Sequence, residues 1–297
     1  MVALRADGSV ALALGDLARP VFPRSSNKPL QAVGMLGAGW VPRDDEELAL
    51  ASASHSGEPV HLEVVRRVLG DADPEAALGC PPALPLSEAA AEALLAAGGG
   101  PTRLHMNCSG KHAAMLATCT AAGWPTKGYL DPAHPLQVAL QAAIERLAGE
   151  PVAHVAVDGC GAPQHALTLP GLARAFSRLV TAAPGTPERR TADAVRAHPL
   201  LLGGTGRDVT LLMQAVPGAL AKDGAEGVYA LALADGSAVA LKIEDGAARA
   251  RMPVLVAALR ALGVQAEGLD ALAEVPVLGG GLRVGEVRAA AALTAGT

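Results

Sequence analysis

The sequence predicts an α/β fold in which an antiparallel sheet draws its strands from both chain ends and encloses a helix-rich middle. Three observations carry this. Residues 8–14, Ser-Val-Ala-Leu-Ala-Leu-Gly, read as a strand. Far along the chain, 227–233 and 237–243 flank an Ala-Asp-Gly-Ser turn as the arms of a hairpin do. Between these ends the chain is Ala- and Leu-rich, with helix start and stop signals. The terminal segments must therefore pair across the sequence, so 1–297 is expected to be a single catalytic unit. Its helix-rich part is expected at about 40–150, and its sheet at about 1–24, 152–158 and 227–290.

Residues 28–38 suit a helix, since Pro29 is tolerated in a first turn. Asp44 and Asp45 precede a second helix, and Ser87 with Glu88 opens another that stops at Gly98. Further helices are expected near 111–122, 136–148, 171–182, 187–197 and 208–220, with Gly123 and Gly149 as C-terminal stops. A short strand, Val152 to Val157, interrupts them.

Composition excludes several classes. A net charge of -5, no dense Lys/Arg run and only two each of Phe, Tyr and Trp leave no nucleic-acid surface. No apolar run reaches the length of a bilayer and no leader pattern opens the chain, so a cytoplasmic protein without a membrane partner is expected. Four cysteines, Cys80, Cys108, Cys119 and Cys160, are too few for a disulfide scaffold and suit free thiols or metal ligands.

The candidate chemistry begins at Ser25, with Lys28 three residues on and facing the same way on a helical turn. A serine hydroxyl needs a base to take its proton, and a neutral lysine supplies one. For Lys28 that means lowering a pKa of about 10.4 to around 7, roughly 4 to 5 kcal/mol drawn from burial and nearby positive charge. The same pattern suits an N-cap serine beside a solvated lysine. Lys222, ahead of the C-terminal hairpin, stands where a second lysine would help, or is a turn residue. Ser54 lies in the polar loop Ala53-Ser54-His55-Ser56-Gly57-Glu58, placed either to relay a proton or to end a helix. Cys108 and Lys111 share a helical turn and Cys160 sits in a tight loop. Two thiolates and a third donor would make a tetrahedral zinc site with one open position, and by spacing alone the orthodox third donor is His112. The stretch from His198-Pro199 to Gly203-Gly204-Thr205-Gly206-Arg207 suits either an anion cradle, with Arg207 clamping a carboxylate, or a flexible connection.

Six blocks stand in order: Arg-Ser-Ser-x-Lys-Pro-Leu-Gln (24–31), Ala-Ser-His-Ser-Gly-Glu (53–58), Asn-Cys-Ser-Gly-Lys-His (107–112), Asp-Gly-Cys-Gly-Ala-Pro (158–163), His-Pro with Gly-Thr-Gly-Arg (198–207) and Ala-Lys-x-Gly-Ala-Glu-Gly (221–227). Together they resemble the asparaginase II family, the rhizobial-type L-asparaginases, over residues 8 to 245. The resemblance implies a fold like the serine β-lactamases and glutaminases. It implies two Ser-Lys tandems, Ser25 with Lys28 and Ser54 with Lys222, with Ser25 as nucleophile. It also implies Zn2+ on Cys108, Cys160 and, in place of His112, Lys111. Arg24, His55, Asn107 and Arg207 are then the expected substrate contacts, L-asparagine the substrate and a homodimer the assembly. One departure is the block at Gly79-Cys80-Pro81-Pro82, where relatives carry Gly and His after the Cys. The expected reaction is hydrolysis of asparagine through an acyl-serine. A glutaminase or β-lactamase-like acyl-serine hydrolase and a zinc-stabilised amino-acid sensor without turnover are its rivals.

Overall fold

The computed structural model describes residues 1–294. Its strands are β1 (Val2–Leu4), β2 (Val10–Ala13), β3 (Val155–Val157), β4 (Pro163–His165), β5 (Leu220–Gly224), β6 (Val228–Ala232), β7 (Ala238–Lys242), β8 (Val275–Gly279) and β9 (Leu282–Val287). The helices are α1 (Lys28–Gly37), α2 (Asp45–Ala51), α3 (Pro59–Leu69), α4 (Pro74–Ala77), α5 (Glu88–Ala96), α6 (Ser109–Ala121) and α7 (Pro135–Ala148). They continue as α8 (Leu169–Thr181), α9 (Pro187–Ala197), α10 (Pro199–Leu202), α11 (Asp208–Ala215), α12 (Arg251–Ala261), α13 (Leu269–Ala273) and α14 (Ala291–Thr294).

The main sheet has the order β2-β1-β7-β6-β5, and every pairing in it is antiparallel. The two chain ends meet at β1, whose Val2 pairs with Ala13 on one side and Ala240 on the other. The tetrad Ala-Asp-Gly-Ser occurs twice, at 6–9 and 234–237. Each time the Asp carboxylate accepts from the Ser amide at 2.8 Å and the Gly takes a positive φ, 82° at Gly8 and 95° at Gly236. This is an Asx turn closing a hairpin, and it makes β1 and β2 as surely as β6 and β7. All of β5 and β6 is buried: α8 packs against β1, β6 and β7, α12 covers β2, β6 and β7, and α9 and α11 pack on β5. Coverage on both faces is why β6, Val-Tyr-Ala-Leu-Ala, reads as an apolar run rather than an alternating one.

Against the sheet lies the helical part, built around α1. This helix is buried from Lys28 to Leu36 and packs on α6, α7 and α9. A helix so enclosed has no polar face to give to water, so a charged group on it must find its partners inside the protein. The expected caps are present: Asp44 accepts from the Glu47 amide at 3.0 Å and Ser87 from the Ala90 amide at 3.3 Å.

Four expectations are corrected. The helix-rich part, expected at about 40–150, extends from α1 to α11, in keeping with the helices expected near 28–38, 171–182 and 187–197. The run expected as one helix over 208–220 ends at Ala215, because Val216-Pro217-Gly218 breaks it, and Leu220 begins the edge strand β5. Residues 152–158 do not join the main sheet; β3 pairs with β4 alone. The sheet expected over 227–290 is interrupted by α12, and β8 with β9 makes a separate two-stranded sheet. No helix among the described residues is long and apolar enough to cross a membrane.

Candidate active site

Three of the five lysines, Lys28, Lys111 and Lys222, have at most 1% of their surface exposed. Lysine is almost never buried without a dedicated partner, so each of these marks a site that the surrounding fold was built to hold.

Ser25 sits in a 3-10 turn, Arg24–Asn27, at the head of α1. Arg24 has φ 53°, a left-handed conformation that costs a non-glycine residue roughly 1 kcal/mol or more. Two carboxylates hold it there: its Nε donates to Asp158 Oδ1 at 2.7 Å and its Nη1 lies 3.0 Å from Glu226. The neighbouring serines are divided in use. Ser26 is buried and donates to the carbonyl of Lys222 at 3.0 Å, whereas Ser25 is half-buried. Neither caps α1, which follows Asn27 with no side-chain cap. Strand β5 comes so close to this turn that a Cβ on Gly224 would stand 2.5 Å from the carbonyl oxygen of Pro23.

Lys28 Nζ donates to the carbonyl of Ala53 at 2.6 Å and to Ser54 Oγ at 2.9 Å. This lysine–serine bond joins the two expected tandems crosswise, Lys28 to Ser54. Lys222 Nζ donates to the carbonyl of Asp223 at 2.9 Å and pairs with the Asp223 carboxylate. Burial pushes the Lys222 amine down to about 8; Asp223 opposes the fall, while Lys28 and Arg207 add to it. Burial alone would raise the Asp223 carboxyl, but Lys222 and Arg207 hold it well below the usual carboxylate range. Lys28, Ser54 and Lys222 are therefore neighbours where α1, β5 and the end of α2 meet, and the turn that carries Ser25 touches β5 through Ser26.

The expected substrate contacts are more occupied than the sequence suggests. Arg207 Nη2 donates to Asp223 Oδ2 at 2.8 Å. The glycine-rich loop before it is filled from within: the amide and hydroxyl of Thr205 both donate to the Glu58 carboxylate at 2.8 Å. Gly204, at φ 123°, packs so tightly on Ser56 that a Cβ would lie 2.2 Å from its Oγ. His55 is fully buried, with Nε2 2.9 Å from Ser109 Oγ and Nδ1 accepting from the Gly57 amide at 3.2 Å. Burial, with His61 and Lys28 nearby, pushes its pKa well below the ordinary value, so the ring stays neutral. Asn107 accepts from the Cys108 thiol at 3.0 Å through Oδ1, and its carbonyl accepts from the His55 amide at 3.1 Å.

Behind this centre Lys111 Nζ lies 3.1 Å from Cys160 Sγ, and the neighbouring Cys160, with burial, pushes the Cys108 thiol well above its ordinary value. Asp158 links the two regions, its second oxygen 3.6 Å from Cys160 Sγ. No three His, Cys, Asp or Glu side chains are grouped for a metal ion among the described residues. His112 points its Nδ1 at Tyr129 Oη, 2.7 Å away, and its buried Nε2 has no hydrogen-bond partner. Two soft sulfurs with a nitrogen donor suit zinc.

Reasoning from sequence missed Asp158, Asp223, Gly224, Glu226 and Ser26. All five lie inside the recognised blocks: Ser26 and Asp223 adjoin named candidates, Asp158 and Gly224 stand two residues from one, and Glu226 four. A cleft of about 850 Å³ near Trp40, Arg67, Leu116 and Tyr129 borders none of the serines or lysines named above.

An α/β scaffold that buries lysines beside serine hydroxyls, under a strained turn, has the attributes of an enzyme site rather than of a binding surface. The chain belongs to the L-asparaginase II family, whose model matches residues 1–289. Among individually curated proteins none matches it. The family points to a hydrolase with a small-molecule substrate.

Proposed function

We propose that the protein hydrolyses the side-chain amide of L-asparagine through an acyl ester on Ser25. The observations that carry this reading are Ser25, half-buried on a strained turn at the head of α1, the buried Lys28 amine bonded to Ser54, and the contact of the same turn with β5 through Ser26 and the Lys222 carbonyl. Ser25 Oγ attacks the amide carbon while its proton passes to Lys28, one helical turn along. Backbone N–H groups of the turn hold the oxyanion. The tetrahedral intermediate collapses when the C–N bond breaks and the nitrogen, protonated from the lysines, leaves as ammonia. Water then attacks the ester carbon, gives its proton to the same amines, and frees aspartate and the Ser25 hydroxyl. Ser54, bonded to Lys28, passes a proton on towards Lys222, whose amine burial pushes down to about 8.

Arg24 shapes the turn, and the substrate's charged ends are met by groups at its rim. Arg207 acts through Asp223 rather than as a free clamp. Cys108, Cys160 and Lys111 would hold zinc, which when bound supplies a fixed positive centre that orients the substrate. The nucleophile at the head of a buried helix beside an antiparallel sheet supports a serine β-lactamase-like architecture.

Ammonia release from asparagine is the test. Ser25→Ala with an unchanged melting profile is expected to lose turnover; retained turnover overturns the reading. Glutamine and nitrocefin assayed in parallel separate asparaginase from the other acyl-serine hydrolases, and saturable asparagine binding without ammonia would identify a sensor.

A further inference from the structure

Adjacent residues on a strand point to opposite faces, so a lysine and the aspartate after it do not ordinarily meet. On β5 they do. This is the edge strand of the sheet, and the Lys222 side chain, fully buried, reaches Asp223 through both the carbonyl and the carboxylate. The other carboxylate oxygen of Asp223 is taken by Arg207, which stands ahead of α11. One residue further, the Gly224 carbonyl accepts from Arg251 Nη1 at 3.1 Å. Arg251 opens α12, pairs with Asp208 at 2.8 Å and lies over the Tyr229 ring, 5.7 Å from its centre. Arginines at the starts of two separate helices therefore grip residues 223 and 224.

We propose that Asp223, itself fixed by Arg207, is a positioning residue that holds the Lys222 amine toward the serine centre. This rests on the assignment of Lys222 to the catalytic group above. Fork-shaped guanidinium groups suit the task, since each fixes an oxygen in direction as well as distance. The charged groups facing Lys222 are Asp223 on its own strand, Lys28 on α1 and Arg207 ahead of α11. Asp223 is thus the only negative one among them, and without it the amine stands between two cations.

The experiment compares wild-type protein with Asp223→Asn, Asp223→Glu and Lys222→Met. The Lys222 titration is followed by NMR of 13C-lysine-labelled protein, which needs no turnover, and kcat and KM for asparagine are measured across pH. For Asp223→Asn the Lys222 titration is expected to move to lower pH by about one unit or more. In the same variant kcat should fall roughly 10- to 100-fold with KM nearly unchanged, because a reacting group has lost its placement rather than the substrate its contacts. Asp223→Glu should restore the titration and part of kcat. A purely structural aspartate would lower the melting temperature and leave the titration where it was; that result, or an unchanged kcat in Asp223→Asn, overturns the proposal. Full turnover in Lys222→Met would instead remove Lys222 from the mechanism, an outcome separable from the NMR result.

Discussion

Replacing Gly224 with alanine tests how closely β5 must approach the turn that carries Ser25. The added methyl would lie 2.5 Å from the Pro23 carbonyl oxygen and 3.0 Å from Ser26 Oγ, where ordinary contact begins at 3.4 Å. About 0.9 Å of separation must therefore be found on the Pro23 side. The strand cannot supply it cheaply: β5 is registered with β6 along its whole length, and Arg251 holds the Gly224 carbonyl. The turn has to yield, and it carries Ser25. Overpacking of this kind costs about 1–3 kcal/mol. A misplacement near 1 Å at a reacting atom costs about 100-fold in rate. Gly224→Ala should thus remain folded with a modestly lowered melting temperature and lose about two orders of magnitude in kcat for ammonia release. Gly100→Ala, whose methyl would meet nothing within 4 Å, is the control and should behave as wild type. If Gly224→Ala keeps kcat within twofold, the turn is not held by β5 and the reasoning fails.

Two further outcomes follow from the electrostatics and the thiol pair. Because an amine must be neutral to accept a proton, and Lys222 loses its own near 8, kcat should rise with pH up to about 8 and level above it; Lys222→Met should lack this rise. A flat profile from pH 6 to 9 in the wild-type protein would count against a lysine base. Chelation, or Cys108→Ser, is expected to strip zinc measured by atomic spectroscopy and to raise KM several-fold more than it lowers kcat; metal-free protein with an unaltered KM would refute the orienting role.

Much of the fold was legible because its signals are local. Helix caps at Asp44 and Ser87 and the Asp-Gly turn at 234–237 read directly from short patterns. The first hairpin was missed although its turn has the same four residues, since β1 is only three residues long and offers no periodicity to count. Strand β5 was hidden because Ala- and Leu-rich sequence suits either structure, and the break at Pro217-Gly218 lay inside the run. At the site, residue identities were legible and partnerships were not. Arg24 meets Asp158 across 134 residues and Ser26 meets the Lys222 carbonyl across 196, distances over which no local pattern reaches. For the same reason the stretch 198–207, read either as an anion cradle with Arg207 as clamp or as a flexible connection, gave no sign of its partners: the Arg207 guanidinium is bonded to Asp223, and Thr205 donates to Glu58.

The central claim is that the acyl group rides on Ser25. Asparagine mixed with the enzyme, quenched in acid within one turnover and digested for mass spectrometry, should give an aspartyl ester on the peptide containing Ser25, and Ser25→Ala should give none. An aspartyl group mapped to Ser54, or sustained ammonia release with no acylated peptide, would contradict the account.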